Sequence, residues 1–214
     1  MAMLPYYGTY CRFTTKDKKD GSILTGADNL VGDVFDIVFQ QEEDCQTAWM
    51  KNRFGAIVGR FDEDMTQQLL LCQARKWRLQ AILVSVYFTE KPAPGSYWGE
   101  AAIVCYSPND ALSFDRFMRG VGSLIAEGIR PDIDLGRTGF EHVVSSEGAW
   151  VPDGRVPKID PGTGSILMKS HLTFNEKMVE KARNRNPGCL FLGWVFLLAV
   201  IALIVVALKS CGAF

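Results

Sequence analysis

Apolar positions change texture along this chain. Gln80 to Thr89 (QAILVSVYFT) and Trp98 to Tyr106 (WGEAAIVCY) are almost continuously apolar, with many β-branched and aromatic residues. Between them lies EKPAPGSY, whose prolines and glycine suit neither helix nor central strand. The two runs predict neighbouring antiparallel strands. Apolar residues on both parities predict that both faces of this sheet are covered.

The spacing shifts after Ser107. Ser107 is placed to cap a helix, and Pro108 suits its first turn. Ala111, Phe114, Phe117, Met118, Val121, Leu124 and Ile125 then fall on one face. Gly128 ends that helix and Pro131 prevents its resumption. Gly120 and Gly122 weaken its middle by about 1 kcal/mol each relative to alanine, which points to a close neighbour.

Earlier segments are less regular. Tyr6 to Thr15 (YYGTYCRFTT) predicts a first strand. Lys16 to Gly21 (KDKKDG) predicts a hairpin turn, with Ser22 to Thr25 returning. From Asp28, positions Leu30, Val31, Val34, Phe35 and Val38 fit a helix capped by Asp28, although Phe35, Ile37 and Phe39 also alternate. Phe54 to Phe61 reads as a short strand. The acidic run Asp62, Glu63, Asp64 is better explained as a helix start than as a metal cluster, with Asp64 and Gln67 as a capping box and a helix from Met65 to about Arg78.

Prolines and glycines punctuate 129–164, so an irregular segment is expected there. Ser165 to Leu172 reads as a last strand. Thr173 and Glu176 form a second capping-box pattern before a polar helix, 176–184.

Cys189 to Leu208 (CLFLGWVFLLAVIALIVVAL) carries no charge. At about 1.5 Å per residue such a run matches the ~30 Å core of a bilayer. Lys177, Lys181, Arg183 and Arg185 precede it and Lys209 follows, a bias that places the N-terminal domain on the cytoplasmic side. The expected fold class is α+β, an antiparallel sheet packed with helices, followed by one C-terminal transmembrane helix. The expected divisions are a soluble domain at 1–172, a polar juxtamembrane helix and linker at 173–188, the span at 189–208 and a short tail at 209–214.

Composition narrows the chemistry. The formal net charge is −1, which gives no basic face for nucleic acid. The cysteines lack a C-x-x-C spacing and only His142 and His171 could join them, so neither a metal site nor a cofactor is expected. No nucleotide loop, nucleophile elbow or zinc-protease motif occurs. PGTGS at 161–165 lacks the lysine and helix of a phosphate loop. The polar cluster that remains is Asp132, Asp134, Arg137, Glu141 and His142, where carboxylates beside an imidazole could do acid–base work. Trp150 is a candidate binding residue.

These observations lead to two expectations. One is a tail-anchored, single-pass membrane protein that meets the bilayer through 189–208 and presents its cytoplasmic domain to a protein partner. The other is a membrane-anchored enzyme using Asp132, Asp134 and His142.

Overall fold

The computed structural model describes residues 4–42 and 45–183. Its elements in order are β1 (Tyr6–Thr14), α1 (Lys18–Thr25), β2 (Val34–Glu42), β3 (Cys45–Lys51), β4 (Ile57–Phe61) and α2 (Glu63–Ala74). There follow β5 (Arg78–Thr89), β6 (Ser96–Tyr106), a 3-10 turn at Pro108–Asp110, α3 (Ala111–Ala126), α4 (Gly136–Ser145), β7 (Ser165–Lys169) and α5 (Phe174–Arg183). The chain divides into two units, Met1–Leu172 and Thr173–Phe214.

The two continuous apolar runs pair with each other, antiparallel, from Arg78↔Tyr106 to Thr89↔Ser96. The sheet runs β2-β3-β4-β1-β6-β5-β7, and β2 also pairs with β5. That extra pairing, Val34↔Ile82 to Asp36↔Gln80, closes six antiparallel strands into a barrel. β7 continues along the same edge of β5, opposite Val86 to Thr89.

Closure corrects the expected α+β sheet. The decisive segment is Val34–Glu42, a strand whose first residues, Val34 to Val38, fell in the helix expected after Asp28. A helix there would have left the sheet open; as β2 it is the strand that joins the two edges. Ser22 to Thr25, expected as a returning strand, instead completes α1, whose N-cap Asp17 accepts a hydrogen bond from Asp20 N at 2.9 Å. α2 starts at Glu63, two residues before the expected Met65, and its cap is Asp62 rather than Asp64, with Asp62 Oδ1 accepting from Met65 N at 2.9 Å.

The two parities of β5 and β6 serve two cores. One core draws on every barrel strand, including Phe13, Phe35, Met50, Phe61, Leu83 and Ile103, and so fills the lumen, with Leu24 of α1 and Leu69 of α2 against it. The other joins Ile82, Val84, Val104 and Tyr106 to Phe114, Phe117, Val121 and Ile125 of α3, on the barrel's outer face. α3 approaches closely because it carries Gly122. A Cβ there would stand 2.6 Å from Gly32 O.

Unit two contains α5. Thr173 Oγ1 and N both donate to Glu176 Oε2, at 2.8 and 2.9 Å, so the expected capping box forms. Lys177, Lys181 and Arg183 fall on α5, whereas Arg185 and Lys209 lie outside the described residues.

Among the described residues no helix is long and apolar enough to cross a membrane. The longest, α3, has 16 residues and one polar face. This corrects the picture of a single-pass, tail-anchored membrane protein as far as the described helices reach. The expected span at 189–208 lies outside the described residues.

Candidate functional site

The segment after α3 holds both the expected site and a different one. Gly128, at φ +83°, turns the chain out of the helix, and its N donates to Ile125 O at 2.8 Å. Arg130 follows and is buried at 7% exposure. Its Nη1 donates to Glu100 Oε2 and its Nη2 to Oε1 at 2.6 Å, a two-pronged pair. Tyr10 adds a ring face 4.7 Å from the guanidinium carbon. Burial pushes the Tyr10 hydroxyl well above its usual ionisation range, and that hydroxyl donates to Pro131 O at 2.7 Å.

Next to this pair lies a small cavity of about 20 Å³. Ser85 and Arg130 line it, with Val84, Tyr87 and Ile125 as apolar wall and Lys158 also lining it. Ser85 stands at an irregularity in the β5–β6 register and is 3% exposed. Ser85 Oγ and Arg130 Nε are both buried and have no hydrogen-bond partner.

The sequence reading did not single out Glu100, Arg130 or Ser85. A signal was present: Glu100 is the one charge in WGEAAIVCY, and Ser85 the one aliphatic hydroxyl in AILVSVYF. A charge in an apolar strand needs a buried counter-charge. Identifying Arg130 as that counter-charge required the fold.

The expected polar cluster takes another form. Asp132 and Asp134 are exposed, and Asp132 Oδ1 accepts from Asp134 N at 3.0 Å, a local turn. Arg137, Glu141 and His142 lie on α4, a helix within the segment expected to be irregular, and all three are exposed. The His142 ring rests against Trp150 at 5.3 Å. Trp150 is half-buried against the outer core, and its N donates to Ser146 Oγ at 3.0 Å. Among the described residues no three His, Cys, Asp or Glu side chains could hold a metal ion.

A third feature is the free side of β7. Among the described residues this strand pairs only with β5. Ile166, Leu167 and Met168 are 54%, 51% and 45% exposed. Lys169 Nζ donates to Gly26 O and Asn29 O, each at 2.8 Å, and ties the strand's end to the loop after α1.

No family model, curated protein or solved structure matches this chain. The functional reading therefore rests on the geometry alone.

Proposed function

We propose that the barrel unit is a protein-interaction module that takes an extended segment of a partner onto the free edge of β7. The observation that carries this reading is three consecutive exposed apolar residues, Ile166 to Met168, on a strand that among the described residues is paired on one side. Proteins usually blunt such edges with charges, prolines or a covering element, because an open apolar edge recruits other strands. Here the strand's lysine is directed to loop carbonyls. Backbone groups along the edge supply affinity, and alternate side chains supply selectivity. The edge has five residues. That is short against the roughly 1,200 Å² of a stable dimer and suits transient peptide recognition.

Peptide-phage selection on the full chain tests the proposal, followed by hydrogen exchange with the selected peptides bound. Apolar extended peptides should slow exchange at 165–169, and Leu167→Lys should weaken them about tenfold or more, as expected for losing an apolar anchor. Binders that protect other regions and ignore Leu167→Lys would overturn it. So would a chain already dimeric through β7, since the edge would then be occupied by a second copy.

A further inference from the structure

The loop between α1 and β2 and the turn between β3 and β4 border a polar cavity of about 110 Å³. Asp28, Asn29 and Asp33 line it from the loop, and Asn52 and Arg53 from the turn. Asn29 and Asn52 are buried, at 0% and 5% exposure. Asn52 Nδ2 donates to Asn29 Oδ1 at 3.0 Å, and Asn29 Nδ2 donates to Ile23 O at 2.8 Å. Asn52 Oδ1 accepts from Phe54 N and Ala56 N at 3.0 and 2.9 Å. The asparagine pair thus ties the loop to the turn. Each side-chain amide has two N–H donors, so each keeps one beyond these bonds. Asp33 Oδ2 accepts from Leu30 N at 2.8 Å, which holds that carboxylate in place.

Charges of both signs line this cavity. Arg53 nevertheless makes no ion pair with Asp28 or Asp33. Its guanidinium lies over the Phe54 ring instead, 4.7 Å from the centroid. Opposite charges that border one space and do not meet across it suit a ligand that carries both. A simple anion would face two aspartates, and a simple cation would face Arg53. A divalent ion needs six or more oxygen ligands, and no third acidic, histidine or cysteine side chain joins the pair among the described residues. Size narrows the ligand further. A cavity of about 150 Å³ admits benzene, so this one admits a molecule as small as glycine or alanine.

We infer that the cavity between the α1–β2 loop and the β3–β4 turn binds a small free α-amino acid. The carboxylate accepts from Arg53 and from the remaining N–H of Asn52, and the ammonium donates to Asp28 and Asp33. The site uses none of the β7 residues on which the interaction proposal rests, so the two stand or fall separately.

Isothermal titration of the full chain with glycine and L-alanine provides the test. Methylamine hydrochloride and sodium acetate, which each carry one of the two charges, and calcium chloride are titrated beside them at equal ionic strength. An amino acid should bind saturably and raise the melting temperature. Methylamine and acetate should bind about tenfold more weakly or worse, because each leaves one set of charges unmatched. Asp28 and Arg53 are exposed and make no ion pair among the described residues, so Asp28→Asn and Arg53→Gln should melt as the parent does without ligand. Each should weaken glycine about tenfold, the effect of losing one ion pair to a charged ligand. No saturable binding of either amino acid, or binding unchanged in both variants, would overturn the site. Methylamine, acetate or calcium binding as tightly as glycine would overturn the amino-acid assignment.

Discussion

Arg130 and Glu100, 30 residues apart, meet in a buried two-pronged ion pair that joins the segment after α3 to the middle of β6. Removing one member leaves the other charge buried and uncompensated. Arg130→Met should therefore cost about 3–5 kcal/mol in urea denaturation. Replacing both, with Glu100→Leu added, should recover most of that loss, because the desolvation of two charges is then avoided. A double variant as unstable as the single one would show that the pair stabilises more than it costs to bury.

Gly122 and Gly120 sit two residues apart in α3 but should respond oppositely to alanine. Each substitution gains about 1 kcal/mol of helix propensity. At Gly122 the new methyl meets backbone, Gly32 O at 2.6 Å, and overpacking of about 1–3 kcal/mol or more follows. At Gly120 it meets only Val151 Cγ2 at 2.9 Å, a side-chain tip that can turn aside. Chemical denaturation should find Gly120→Ala neutral or stabilising and Gly122→Ala destabilised by roughly 2 kcal/mol.

The fold should weaken at alkaline pH. Tyr6 donates to Ile133 O at 2.7 Å, and burial raises its hydroxyl well above 10.0. Burial also raises Tyr106, beside Asp115, and pushes Tyr7 up to about 12. These groups hold their protons more tightly folded than unfolded. Their contribution is thus complete below about pH 10 and is lost as pH climbs from there through the raised values. Melting temperatures between pH 8 and 11.5 should be flat and then fall, and Tyr6→Phe should make the fall shallower. A decline beginning near neutrality would point to other groups.

Lys169 secures the end of β7 through the carbonyls of Gly26 and Asn29. Lys169→Met should loosen that end without unfolding the barrel, since the closing pair β2–β5 lies elsewhere on β5. Hydrogen exchange should accelerate at 165–169 by about tenfold, the loss of roughly 1.4 kcal/mol, with β1 and β6 unchanged. Uniform acceleration across the barrel would show that β7 is part of one cooperative unit with it.

Several elements were legible because their signals are local. β5 and β6 follow from continuous β-branched and aromatic runs, and α3 from its apolar face, Ser107 start and Gly128 stop. The close neighbour inferred from Gly122 is the Gly32 backbone. Other elements had conflicting signals. Val34–Glu42 satisfies both periods over its first residues, and its strand state is selected by pairing with β3 and β5. α4 lies in a glycine-rich stretch and is held by Phe140 and Val143 against the outer core. β3 (Cys45–Lys51) was not anticipated: its buried residues, Thr47 to Met50, form an unbroken run without alternation.

By itself the sequence determined the central strand pair, the long helix, the capping box before α5 and the two-sided cover that apolar parity demands. It also marks 189–208 as uncharged. Only the tertiary structure decided that the sheet closes, that Glu100 finds Arg130, and that, among the described residues, β7 pairs on one side alone. The reason is physical. Alternation and capping are set by residues a few positions apart, and they are the same in an open sheet and a barrel. Closure, charge pairing and edge exposure depend on residues such as Val34 and Ile82, which meet only when the chain between them has folded.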